Sequence, residues 1–344
     1  MNERIVGKRV LFVAPQNLGL YKDVTCELKR QGYDVVYIED KLFHGWVFGD
    51  PLKIHRDWYQ VYSWRKKESF NANYWAQIFS DKSFDPYYDY LLVIDGFSIC
   101  DTLISRLTEA NPKIKKILYL YDSMQGAYHF DRNLHWFEKV YTFDIDDSEK
   151  FSIGLLPIYW VNDILRSDSA IEYDVFGLAS FGIGLNRYNI YKEISKISDT
   201  LGLKTYIKLL APPLRAPWKM FLKKIFRLDL SLTVEQRLVT RTSLTPIEFR
   251  EKTLKSYVIL DALSHDQTGP TTRFSWAIGA GKKIITSNVN MERYSFYDSD
   301  QVFIFHQGDQ IPMSFFERGF VMKESIRKEV DRFRIDNWVK SLLS

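Results

Sequence analysis

Hydrophobic positions in this chain come in short unbroken runs, separated by stretches with helical spacing. Runs of about four to eight branched and aromatic residues suit strands buried on both faces. Arg9–Ala14, Tyr33–Glu39, Tyr90–Asp95, Lys116–Tyr121 and Lys139–Phe143 are of this kind. Between them the pattern predicts a helix to about Arg30, stopped by Gly32, and another over Asp101–Ala110, stopped by Asn111 and Pro112. Residues 42–80 are polar and aromatic and read as loops with one helix near Asn73–Phe79. A second series follows. Strand Asp174–Ser180 leads to a helix over Tyr188–Thr200, with Ile190, Ile194 and Ile197 on one face, and then to strand Lys204–Leu210. After an irregular basic segment, 211–240, come a helix at Glu248–Ser256, strand Tyr257–Leu263 and a polar loop, Ser264–Pro270. A helix opens at Thr271 and stops at Gly279, Ala280 and Gly281; strands Lys283–Thr286 and Gln301–Phe305 complete the series. The tail Ser325–Leu343 predicts a helix with Ile326, Val330, Phe333, Ile335 and Trp338 as its apolar face.

Alternating strands and helices with nearly all-apolar strands argue for parallel sheets covered on both faces, an α/β fold. Two such series in 344 residues predict two sheets facing each other across a cleft. The boundary is expected near 157–170, where Pro157 and the polar stretch Arg166–Ser169 interrupt the pattern. In open parallel sheets ligands sit beyond the carboxyl ends of the strands, so residues just after strand ends matter most.

Composition adds a little. Hydrophobic residues at 46% supply two cores, and a net charge of +4 suits anionic ligands or an anionic membrane surface. Cys26 and Cys100 have no spacing for a disulfide framework or a zinc site, which fits a reducing, cytoplasmic setting. The opening MNERIVGKRVLFVAP reads as a first strand rather than a signal peptide, and no stretch is apolar enough to span a bilayer.

Candidate chemistry gathers after strand ends. Thr271, Thr272 and Arg273 open a helix, where unpaired N–H groups and partial positive charge favour an anion such as a diphosphate. The plainer alternative is a threonine cap beside a surface arginine. His265, Asp266, Gln267 and Gly269 share the preceding loop and could face the same ligand, or form an ordinary polar turn. Phe181-Gly182-Ile183-Gly184-Leu185-Asn186-Arg187 joins a strand to a helix. Gly182 and Gly184 permit close backbone approach to phosphate and Arg187 adds charge; a tight connecting turn is the equal alternative. Asp95, Asp122 and Asp144 each end a strand of the first series. Asp122, then Asp95, is the first choice for a general base, although Asp after a strand also serves turns and caps. His129 and His135 are further candidate bases.

The order of these pieces resembles GT-B glycosyltransferases, and more narrowly the glycosyltransferase-like proteins of bacterial capsule, exopolysaccharide and O-antigen clusters. YLYDSM (Tyr119–Met124) with FEKVYTFDIDD (Phe137–Asp147) and LLPIYW (Leu155–Trp160), YDVFGLASFGIGLNRY (Tyr173–Tyr188), and the Tyr257–Tyr297 stretch with KKIITSN (Lys282–Asn288) carry the resemblance. It implies two Rossmann-like domains facing across a cleft: an acceptor-binding domain (1–165), a nucleotide-sugar-binding domain (166–325), and a last helix (326–344) that crosses back. It also implies transfer from a nucleotide-sugar, with no metal and no cofactor beyond that donor. The chain departs from the pattern at Trp276, where such proteins carry a glutamate that holds the donor ribose. Either ribose is held another way, or the donor is unusual, or the chain is a non-catalytic relative. A pyruvyl or other group transferase on the same polysaccharides is the rival enzyme.

Two further segments bear on the acceptor. Arg56, Arg65, Lys66 and Lys67 interleave with Trp58, Tyr59, Tyr62, Trp64 and Phe70, which suits a glycan or its lipid diphosphate. No nucleic-acid-binding signature accompanies them. Residues 217–227, Pro217 to Arg227, are basic and aromatic and suit the anionic inner face of a membrane; a surface helix with its apolar side packed inward is the default.

Overall fold

The computed structural model describes residues 7–16, 19–41, 56–124, 130–162, 170–181, 186–210, 235–263 and 268–344, with side chains left out at 56–67 and 130. The chain divides into two compact units, Met1–Pro157 with Ile335–Ser344, and Ile158–Arg334.

Unit 1 holds a six-stranded parallel sheet in the order β2-β1-β3-β4-β5-β6. Its strands are β1 (Arg9–Ala14), β2 (Asp34–Glu39), β3 (Tyr90–Ile94), β4 (Lys115–Leu120), β5 (Lys139–Thr142) and β6 (Gly154–Leu155). Every residue of β3 is buried, as are five of six in β1, because helices cover both faces of a parallel sheet. The chain adds β2 on one side of β1 and then returns to place β3 on the other, so the order reverses between β1 and β3.

Unit 2 repeats the plan with β7 (Tyr173–Ser180), β8 (Thr205–Leu210), β9 (Val239–Thr240), β10 (Ser256–Asp261), β11 (Lys283–Thr286) and β12 (Val302–Ile304) in the order β12-β11-β10-β7-β8-β9. Here the order reverses between β7 and β10, which pair in parallel with Val258 opposite Val175. This is the strand order of dinucleotide-binding sheets, whose ligands sit outside such a reversal. Gly177 of β7 lies under Leu260, where an added Cβ would come within 2.9 Å of the leucine Cβ.

Three local expectations change. The helix placed at Asn73–Phe79 runs from Arg56 to Ser80. Trp75 anchors it, fully buried, with Nε1 donating to the Ser98 carbonyl at 2.9 Å. Of the segment expected to be irregular, 211–240, residues 211–234 lie outside the described residues and the described part ends in the two-residue strand β9. The single tail helix is two, Glu324–Asp331 and Ile335–Leu343, and the division between the units falls between them. The second packs in unit 1: Trp338 is fully buried, 4.7 Å from the Tyr119 ring, and Gln31 Nε2 donates to the Asp336 carbonyl at 2.9 Å.

Candidate functional site

At the reversal in unit 2, the carboxyl ends of β7 and β10 bring two arginines together. Arg187, in the first turn of helix Asn186–Thr200, reaches back across the strand ends. Its Nε donates to the Ala262 carbonyl (2.9 Å), and its Nη1 to the Ser180 carbonyl (3.0 Å) and hydroxyl (2.9 Å). Arg273 comes from the first turn of helix Thr272–Gly279. Its Nε donates to Oδ1 of Asp261 at 3.0 Å, and its Nη2 lies 2.9 Å from the same oxygen. Asp261 is the last residue of β10 and is buried.

Thr271 caps the Thr272–Gly279 helix, accepting from the Phe274 N–H at 3.3 Å, and turns its own hydroxyl proton to Asp261 Oδ1 at 2.9 Å. Thr272 is the first residue of that helix and is half-buried. Asn288 fastens the incoming loop from the end of β11, donating to the carbonyls of Thr268 (2.8 Å) and Gly269 (3.3 Å). Gly182, Gly184, His265, Asp266 and Gln267 lie outside the described residues, as does segment 217–227.

Charge in this cluster follows from burial. Burial, and then the nearby Arg273, pull the Arg187 guanidinium below its ordinary value. Burial also pulls Arg273 down, but the Asp261 charge, the Tyr191 phenol and the Asp261 hydrogen bond more than reverse that. Tyr191 is pushed up to about 12 by burial and stays neutral. Two guanidiniums against one carboxylate leave a single net positive charge, beside a helix start of the same sign. Such an arrangement attracts phosphoryl oxygens.

Unit 1 places Asp95 and Asp122 just beyond β3 and β4. Asp95 is buried and takes a left-handed backbone, φ 63°, which costs about 1–3 kcal/mol for a non-glycine residue unless its surroundings enforce it. Asp40 does the enforcing. Its buried carboxylate accepts from the N–H groups of Gly96 (2.9 Å), Phe97 (2.7 Å) and Ser98 (2.6 Å) and from the Ser98 hydroxyl (2.6 Å). Asn133 adds a bond to the Gly96 carbonyl at 3.0 Å. The loop carrying Asp122 is held at both ends: Asp95 Oδ1 accepts from the Tyr121 N–H (2.7 Å), and Asp147 Oδ2 from the Met124 N–H (2.6 Å).

Burial and then the Asp122 charge hold the Asp95 carboxyl well above the usual carboxylate range, and burial raises Asp122. Like charges this close do not both ionise readily, so the pair keeps a proton to higher pH than either acid alone. Asp144 takes the plainer of its two readings, capping helix Ile145–Phe151 through the N–H groups of Asp146 (3.0 Å) and Asp147 (3.3 Å). His135 is exposed beside Trp136, and His129 lies outside the described residues. The basic and aromatic residues from Arg56 to Lys67 sit on the first turns of helix Arg56–Ser80.

Trp276 packs inside unit 2. It is 4% exposed, its ring lies 5.8 Å from that of Phe249, and the Arg250 guanidinium lies 4.6 Å above it. Asp261 is the residue that sequence reasoning missed. An acid closing the apolar run of β10 was the available signal, because a carboxylate ending a central parallel strand points to the ligand edge.

No known family profile matches the chain, and no curated protein does. Solved structures do, at low identity. The chain is similar to the sucrose-phosphate synthase of Thermosynechococcus elongatus (TM-score 0.55, 10% identity, 98% of each chain covered). It is similar to the N-terminal domain of Candida albicans trehalose-6-phosphate phosphatase (TM-score 0.57, 10% identity, 100% of this chain and 97% of that one). A third is Anabaena HepE in complex with UDP and glucose (TM-score 0.50, 10% identity, 98% and 99%). With its two six-stranded parallel sheets and flanking helices, the chain has the two-domain α/β fold of the GT-B glycosyltransferases.

Proposed function

We propose that this chain is a metal-independent GT-B glycosyltransferase. It moves a sugar from a nucleotide-sugar to a hydroxyl of a growing bacterial surface polysaccharide carried on a lipid at the inner face of the membrane. The observation that carries this reading is the pairing of buried Arg187 with half-buried Arg273 beside the Thr272 helix start, at the strand-order reversal of unit 2. In the transfer, the acceptor oxygen bonds to the anomeric carbon while the bond from that carbon to the diphosphate breaks. The departing electron pair raises the charge on the diphosphate, and two fixed guanidiniums with a helix start offset it where a divalent cation otherwise would. The acceptor proton goes to the ionised member of the Asp95–Asp122 pair, Asp122 being the less enclosed of the two.

The neighbour solved with UDP and glucose makes UDP-sugars the first donors to try. The basic, aromatic sequence of 217–227 is the reason to place the acceptor at a membrane. Trp276 supplies no carboxylate for a ribose, so the ribose contacts must come from elsewhere in the site. The test is a thermal-shift screen of uridine, guanosine, thymidine and cytidine phosphates, followed by turnover of the matching sugar donors by the wild type and by Arg273→Ala. Stabilisation by one nucleotide, and a loss of turnover in the variant, are expected. Unchanged turnover removes the diphosphate role. Stabilisation by phosphoenolpyruvate and by no nucleotide points to a group transferase instead, and stabilisation by none of them to a scaffold.

A further inference from the structure

Asp261 lies at the centre of the unit 2 site and has only 1% of its surface exposed. A single oxygen, Oδ1, takes the Thr271 hydroxyl at 2.9 Å, Arg273 Nε at 3.0 Å and Arg273 Nη2 at 2.9 Å. Nε and Nη2 form one edge of the guanidinium plane. With that edge occupied, the Nη1–Nη2 edge is the fork that remains among the described residues, and it is the fork that matches two phosphoryl oxygens. About a fifth of the Arg273 side chain, 21%, is exposed. Arg187 is steadied differently, by neutral acceptors on its Nε and Nη1.

We infer that Asp261 is a positioning residue for the phosphoryl ligand, pinning one edge of Arg273 so that the outer fork is presented to phosphate oxygens already oriented. This inference rests on reading the site as the seat of a nucleotide-sugar diphosphate. It runs against what charge alone dictates. A carboxylate beside a cation weakens the site's pull on an anion, so its removal would tighten anion binding if charge were all that mattered. If orientation decides, its removal weakens binding, because the freed side chain must be ordered each time a ligand arrives.

The test is calorimetric titration of the full chain with inorganic pyrophosphate and with UDP, for the wild type, Asp261→Asn, Arg273→Ala and the double variant. Asp261→Asn should bind about tenfold more weakly although the site has gained positive charge. In the Arg273→Ala background the same substitution should cause no weakening, since its effect runs through that guanidinium. Arg273→Lys, which keeps the charge but has no fork, should fall nearly as far as Arg273→Ala; this arm stands even if Asp261→Asn fails to fold. Equal or tighter binding by Asp261→Asn, equal weakening in both backgrounds, or wild-type affinity in Arg273→Lys overturns the inference. A wild type that binds neither ligand overturns the diphosphate reading as well, whereas a binding wild type with an unweakened Asn variant overturns only the role of Asp261.

Discussion

Replacing glycine by alanine inside a helix ordinarily stabilises it, by about 0.5–1 kcal/mol. Gly279 should behave in the opposite way. It is the last residue of helix Thr272–Gly279, and an added Cβ would lie 2.5 Å from both Cγ and Cδ2 of Trp160 and 2.9 Å from its Cβ. Contacts that short require movement. Trp160 is fully buried, and its Nε1 donates to the Val330 carbonyl at 2.9 Å, so turning the ring away gives up a buried hydrogen bond worth about 1 kcal/mol. Shifting the helix disturbs a second tie, since Arg327 Nη1 donates to the Gly279 carbonyl at 2.9 Å. Overpacking of this kind costs about 1–3 kcal/mol, which exceeds the helix-propensity gain, so Gly279→Ala should lose about 1–2 kcal/mol net. Urea denaturation followed by tryptophan fluorescence measures it as a lower midpoint at unchanged slope. A midpoint equal to or above that of the wild type would refute the packing argument, and so would an identical loss when Trp160 has first been replaced by alanine.

Four further outcomes follow from the same structure. Arg187→Lys keeps a charge but not the bonds to Ala262 and Ser180, and should lower kcat about 10- to 100-fold; steady-state kinetics against the preferred donor would show it. Because burial and then Asp122 raise Asp95, the folded chain keeps a proton that the unfolded chain releases above about pH 4. Stability should therefore fall as pH rises from there through the folded pKa, and Asp95→Asn should flatten that fall in urea midpoints taken between about pH 4.5 and 8; an unchanged slope counts against the buried pair. Chelation with EDTA should leave turnover intact if guanidiniums supply the charge, and a loss restored by magnesium would assign that work to a metal. Trp338→Ala, in the last helix against Tyr119, should cost about 3–5 kcal/mol in chemical denaturation, and a midpoint close to wild type would mean that this helix contributes little to unit 1.

Much of the fold could be read from pattern because parallel strands carry a strong signal. In β3 and β10 the apolar run is continuous, and turn residues bound it, so the strands of this kind needed no tertiary knowledge. Elements whose stability comes from elsewhere escaped. Helix Arg56–Ser80 is held by Trp75 reaching Ser98 and by Asn71 donating to the Phe97 and Ile99 carbonyls, contacts with the loop after β3 that no local period records. Strands β6 and β9 are two residues long and exist only as additions to a sheet edge. The break in the tail at Arg332–Arg334 carries neither glycine nor proline. It coincides with a bridge between Trp160 and Arg334 and with the division of the chain into its units, so tertiary pairing ends the helix there.

The site was legible in kind but not in wiring. A cation and hydroxyls at a helix start after a buried strand are enough to suggest an anion, and Arg187 and Arg273 do converge at one strand-order reversal. Sequence has no way to say which donors are spent inside the protein. The Thr271 hydroxyl proton goes to Asp261, and one edge of the Arg273 guanidinium is already bound to the same carboxylate. Trp276 shows the same limit from the other side. Three residues beyond Arg273 it occupies the place of an expected carboxylate, but its ring lies buried between Phe249 and Arg250, and what it contributes is packing. A buried polar group must be satisfied by some partner, and that partner is chosen by the fold rather than by spacing along the chain. Among the described residues, what the two guanidiniums can still offer a ligand is therefore set by what Asp261, Ser180 and Ala262 leave unbound.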